Sequence, residues 1–138
     1  MNVDSFPLEV EVLVEVPRGS FLKREAGRGI EYISPVPCPF NYGCVEDLAG
    51  ADGDPVDVVL LGPRQPHGAR VRARVWGRVR FLDDGIEDDK WIASAEAPGS
   101  LAGLAAFFRV YAVARALLNA GRGRRGRTAF LGIERRTA

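Results

Sequence analysis

Seven aspartates fall in two short stretches of the chain, and five of them draw attention: Asp52, Asp54 and Asp57 in "DGDPVD" and Asp83 and Asp88 in "DDGIEDD". Asp57 interrupts the apolar run Val56, Val58, Val59, Leu60, Leu61, where a lone carboxylate would lose its hydration without compensation. If both stretches meet at one end of a fold, mutual repulsion forces protonation or expansion unless divalent cations neutralise the acids. All-oxygen ligation favours Mg²⁺, with Mn²⁺ as the alternative, over zinc or copper, and magnesium keeps waters free for a phosphate ligand. Lys23, Lys90, Tyr42 and Tyr111 are donors of the kind that hold phosphate oxygens. Together these residues outline a phosphoryl-transfer site.

Other chemistries fit less well. The D-x-D spacing of Asp52 and Asp54 suggests a calcium loop, but Val56 and Asp57 stand where that loop needs an oxygen ligand and a glycine. Cys38 and Cys44, with His67 as the sole histidine, cannot close a four-ligand zinc site, and free thiols in a reducing compartment are expected. With 19 Lys plus Arg against 18 Asp plus Glu, the net charge of +1 gives no global pull toward nucleic acid or anionic membrane. Residues 1–17 lack the basic start and apolar centre of a signal peptide, so a cytoplasmic location is expected. Residues 101–118 are apolar enough to raise a membrane span, which Arg109 and Arg115 argue against.

These side chains need a frame. Alternation predicts strands over residues 8–16, 21–25, 30–33, 69–82 and 129–134, an apolar buried strand over 55–61, and a strand over 90–94 pairing back after the acidic turn. In residues 69–82, Arg70, Arg72, Arg74, Arg78 and Arg80 fall on one face and Val71, Ala73, Val75, Val79 and Phe81 on the other. One helix is expected from an N-cap at Ser100 to a stop at Gly121, and its Ala- and Leu-rich surface points to homo-oligomerisation. The sum is a single domain over 1–138, mainly β within the α+β class: a small five-stranded, OB-like closed barrel with a flanking helix.

Five segments in order, "VEVPRGSFLKRE" (14–25), "CPFNYG" (38–43), "DGDPVDVVLL" (52–61), "FLDDGIEDDKWIA" (81–93) and "FFRVYA" (107–112), resemble the soluble inorganic pyrophosphatases of the magnesium-dependent barrel family. The resemblance implies a five-stranded barrel, several Mg²⁺ ions and hydrolysis of pyrophosphate to two orthophosphates. It makes Asp52, Asp57 and Asp88 ligands of the tightest ion, with Asp57 also on a second and Asp83 on a third, and Glu15 and Glu25 acting largely through metal-bound water. Asp54 falls on the position that orients or deprotonates the attacking water. Lys23, Tyr42, Lys90 and Tyr111 fall on phosphate-holding positions.

The chain departs from that pattern at a phosphate-gripping Arg expected near Ile30, a Tyr expected at Cys38 and a Lys expected at Ala112. Arg24, Arg28, Arg109, Arg115 and the arginines of 122–127 are alternative sources of positive charge. Two further readings stand beside the first. One is a family relative with another phosphoanhydride substrate or with phosphate and metal binding only. The other is a nucleic-acid-binding barrel using the alternating arginines and Trp76.

Overall fold

The computed structural model describes residues 2–26, 29–50 and 53–137, without the side chains of 22–35. Its strands are β1 (Glu9–Val16), β2 (Phe21–Ala26), β3 (Gly29–Pro37), β4 (Asn41–Ala49), β5 (Pro55–Leu60), β6 (Arg70–Asp83), β7 (Ile86–Glu87), β8 (Lys90–Ser94) and β9 (Ala129–Arg135), with one helix, α1 (Ala102–Gly121). Strands β1, β4, β5, β8 and β6 pair in that order, and β6 returns to β1, closing a five-stranded barrel. Every pairing in the ring is antiparallel except β5 with β8. The hairpin β2–β3 stands apart as a second sheet, and β9 extends β6 outside the ring.

Two apolar clusters divide the molecule. Val10, Val12, Val14, Val45, Val56, Val58, Val75 and Ala93 fill the barrel, with Phe6 stacked on Trp91 at 4.4 Å between ring centroids. The second cluster lies on the barrel's outer flank, where Phe40, Val59, Val79, Phe81 and Ile92 meet Leu104, Phe107, Phe108 and Tyr111 of α1. Alternation sends Val58 inward and Asp57 and Val59 outward on β5, and Trp91 inward and Lys90 and Ile92 outward on β8.

Strand β6 serves both clusters although its alternation never breaks. Val75 opposes Ala93 and Gly77 opposes Ile92, so one extra residue, Trp76, is bulged into β6. A one-residue bulge exchanges the faces of everything beyond it. Ala73 and Val75 therefore point into the barrel, whereas Val79 and Phe81, of the same parity, point out under α1. The single wet arginine face expected for this strand divides for the same reason. Arg70 and Arg72 are exposed, while the Arg78 side chain keeps only 13% exposure and pairs with Asp89 and Glu134.

Two local features depart from the sequence reading, a strand it did not predict and the cap of the helix, while the helix stop at Gly121 agrees with it. Strand β4 was not anticipated: its burial follows no clean period, and Gly43 sits inside it because a Cβ there would collide with the Leu13 carbonyl of β1. The helix starts at Ala102 with Leu101 at the cap, although the Ser100 hydroxyl still accepts the Ala102 N–H at 3.2 Å. Gly121 is its last residue, and the left-handed glycine beyond it is Gly123, at φ 74°. By length and composition α1 could cross a membrane, yet one face, Leu104, Phe107, Phe108, Tyr111, Ala112, Arg115 and Asn119, is buried.

Candidate functional site

At one end of the outer cluster the apolar side chains give way to polar ones on the same strand faces. Asp57 precedes Val59, Lys90 precedes Ile92, and Asp83 follows Phe81, each two residues along its strand. Parallel pairing sets Asp57 opposite Lys90, and antiparallel pairing sets Lys90 opposite Val79. The candidate site thus lies at a barrel end, as the two acidic stretches required, but on the flank facing α1 and not in the lumen. The main chain of Asn41 starts β4 and leads directly to Tyr42. Its buried side chain accepts from the N–H groups of Arg18 and Gln65 at 3.0 and 2.8 Å, and donates to the Leu60 and Pro63 carbonyls at 3.3 and 2.9 Å.

Lys90 is the centre of this arrangement. Its Nζ lies 3.2 Å from Asp57 Oδ2 and 2.9 Å from Asp88 Oδ2, and 5.7 Å from the centre of the Phe81 ring. Burial is the largest single influence on its pKa and acts to lower it. The charges of Asp88 and then Asp57, with Tyr111 and the hydrogen bond to Asp88, together outweigh burial and hold the pKa above the ordinary lysine value. The ammonium is therefore charged, and it offsets one of the two negative charges of carboxylates that would otherwise repel each other.

On the far side of Asp57 lies Cys44, its cross-strand partner on β4. Glu15 sits at a bulge of β1 and hydrogen-bonds the Cys44 thiol. Burial, then the charge of Glu15 and that hydrogen bond, with Glu46 and Asp57 behind them, push the thiol up to about 12. Cys38 is also raised to about 12, by burial. Both cysteines are free and buried thiols, as expected.

Asp83 has other company. It accepts from Arg115 Nε at 3.3 and 3.2 Å through its two oxygens, and Arg115 Nη2 lies 3.1 Å from Oδ2. Asn119 Nδ2 donates to Asp83 Oδ1 at 2.8 Å and to Thr128 Oγ1 at 2.9 Å, and Thr128 Oγ1 accepts the Asp84 N–H at 3.0 Å. The "DDGIEDD" stretch is thus a built turn. Asp84 at φ 53° and Gly85 at φ 80° form the two-residue loop between β6 and β7, and Asp84 Oδ1 accepts the Gly126 N–H at 2.7 Å. Asp89 Oδ1 accepts the Phe81 N–H at 2.9 Å.

Of the residues singled out by sequence, the fold brings together Asp57, Asp88 and Lys90, places Tyr111 within their electrostatic reach, and sets Glu15 beside Cys44. Tyr42 faces the outer cluster opposite Val59. Asp54 is exposed on the turn before β5, where its carbonyl accepts the Gly50 N–H at 2.7 Å. Asp52 and the side chains of Lys23 and Glu25 lie outside the described residues, though the backbones of Lys23 and Glu25 pair with β3. Among the described residues no three acidic, thiol or imidazole groups are grouped closely enough to hold a metal ion. A cleft of about 240 Å³ adjoins Asp57 and Asp88, walled also by Phe6, Arg78, Glu87 and Trp91.

The partners missed in the sequence are Cys44 for Glu15, and Arg115 and Asn119 for Asp83. Asn119 carried a signal: with Arg115 it forms a polar i, i+4 pair on the buried face of an otherwise apolar helix.

The family model for inorganic pyrophosphatase matches residues 12–119. The chain belongs to the inorganic pyrophosphatase family. It is 38% identical over 95 residues to the soluble inorganic pyrophosphatase of Oryza sativa subsp. indica, an alignment covering 63% of this chain and 44% of the relative. It is 33% identical over 99 residues to the inorganic pyrophosphatase of Corynebacterium efficiens, covering 66% and 63%. The chain therefore spans between 44% and 63% of the length of these curated relatives. The crystal structure of inorganic pyrophosphatase from Thermus thermophilus is similar in fold, with a TM-score of 0.68 at 24% identity over 99% of this chain and 91% of that one. In this pyrophosphatase-family chain the site strands and most of α1 lie inside the matched span, while the arginine-bearing loop after α1 and β9 lie beyond it.

Proposed function

We propose that the chain hydrolyses inorganic pyrophosphate to two orthophosphates in a magnesium-dependent reaction, with Mn²⁺ as an alternative ion. The observation that carries this reading is the convergence of Asp57 and Asp88 on one cation, at 3.2 and 2.9 Å, in a chain of this family. Their chemistry fits a hard divalent ion: the donors are oxygens, and magnesium needs only one or two carboxylates because it keeps its waters. Asp57 and Asp88, joined by Asp52, would hold it, with Glu15 and Glu25 acting through its water shell. When bound, magnesium lowers the pKa of the water that attacks phosphorus.

The chain's own groups do the rest. Asp54 accepts a proton from the attacking water at its carboxylate. As the new P–O bond forms, the bridging P–O bond breaks and its electron pair leaves on orthophosphate. Lys23, Tyr42, Lys90 and Tyr111 donate to phosphate oxygens and offset the charge that grows on the leaving group. The exposed Val110, Val113 and Leu117 of α1 support a homo-oligomer, which sedimentation would register as a mass above 15.0 kDa. The free buried thiols suit the reducing cytoplasm.

A second reading, a relative acting on another phosphoanhydride or only binding phosphate, is favoured by Ala112 and Ile30 standing where the family resemblance calls for phosphate-binding cations. The nucleic-acid reading has little support, since Arg70, Arg72, Arg78 and Arg80 all pair with acids of their own fold. Orthophosphate release from pyrophosphate, tripolyphosphate and ATP, each with Mg²⁺ and with chelator, separates the readings. The first expects magnesium-dependent release fastest from pyrophosphate. Faster release from a longer chain favours the second, and no release from any of them excludes hydrolysis.

A further inference from the structure

Resting on that reading of the site, we infer that Arg115 stands in for a divalent ion at Asp83, so that this chain takes no metal there. The resemblance assigns Asp83 to a third ion, and the side chains around it do not fit that role. Both carboxylate oxygens are engaged by the guanidinium of Arg115, at 3.1 to 3.3 Å, and one also by the Asn119 amide at 2.8 Å. Three N–H groups thus occupy most of the roughly four lone-pair directions a carboxylate offers.

The arrangement is built into the fold and not a surface encounter. Arg115 is 2% exposed and Asn119 1%, and both project from the buried face of α1, one and two turns beyond Tyr111. Asn119 is in turn fixed through Thr128 to the backbone of Asp84, so the helix, the turn after β6 and the segment entering β9 lock around Asp83. A planar guanidinium matches a carboxylate with two parallel bonds and cannot lose its proton near neutral pH. A hydrated magnesium ion would have to displace both the guanidinium that spans the two oxygens and the Asn119 amide held by Thr128, not a single-point ammonium, and would leave a buried cation without its counter-charge.

Counting bound Mn²⁺ by electron paramagnetic resonance, alongside thermal unfolding in chelator, tests this. Asp83→Asn should bind as many Mn²⁺ ions as the wild type, yet unfold about 5–10 °C lower without metal, as loss of a buried pair requires. Arg115→Gln should lose a similar amount. The double variant should recover part of the loss, because neither charge is then left alone. Loss of one Mn²⁺ ion in Asp83→Asn overturns the inference, as does an unchanged melting temperature. Asp57→Asn distinguishes the two levels: it should reduce Mn²⁺ binding. A wild type that binds no Mn²⁺ overturns the proposed function instead, while the melting temperatures still decide for or against the pair.

Discussion

At Lys90 a single buried ammonium bridges two carboxylates, Asp57 and Asp88. It is 1% exposed, so its charge survives only because Asp88 and Asp57 stand at 2.9 and 3.2 Å. Lys90→Met should therefore leave two carboxylates repelling each other and cost about 3 kcal/mol of unfolding free energy, measured in urea with chelator. The sign of the pH dependence follows from the raised pKa. The lysine contributes fully below its unfolded value of about 10.4 and loses that contribution as pH rises through the higher folded value. The gap between wild type and variant should stay constant from about pH 6 to 9 and narrow only above about 10.4. A gap that closes near neutrality would contradict the pairing. Asp57 was legible from sequence because a carboxylate inside an aliphatic strand demands a partner. The specific partners of Asp83 and Glu15 were not, since Arg115, Asn119 and Cys44 come from other elements and only the fold sets them side by side.

At the scale of elements, the strands positioning the site were largely readable from alternation, and their faces were not. The pattern of β6 runs unbroken through the bulge at Trp76, so nothing in its sequence announces that Val75 and Val79 belong to different cores. Strand β4 was missed because its only strong local cue is Gly43, which reads as a breaker until the Leu13 carbonyl is seen against it. Gly43→Ala should push β4 from β1, the two strands that carry Tyr42 and Glu15, and cost about 2–4 kcal/mol in urea unfolding. Gly103→Ala is the control: a Cβ there meets nothing within 4 Å, and alanine favours a helix, so stability should hold or rise by up to about 1 kcal/mol. A tolerated Gly43→Ala would mean that β1 and β4 do not approach as described.

At the scale of the whole molecule, the barrel, its outer-flank helix and the family were legible because five segments kept their order and chemistry. The flank location of the site was not, because it depends on which face each strand turns toward α1. The fold delivers carboxylates from β5 and from the residue pair before β8, and a phenol from α1, to one edge of the outer cluster, with apolar packing behind them. On the proposed magnesium-dependent reading, loss of the Asp57 carboxylate should abolish turnover while leaving the barrel intact. The direct measurement is orthophosphate release from pyrophosphate as Mg²⁺ is titrated, for the wild type and for Asp57→Asn. Magnesium-dependent turnover in the wild type that falls at least about 100-fold in Asp57→Asn, with both chains folded, is the expected result. Turnover that needs no magnesium, or that survives in Asp57→Asn, would contradict the account.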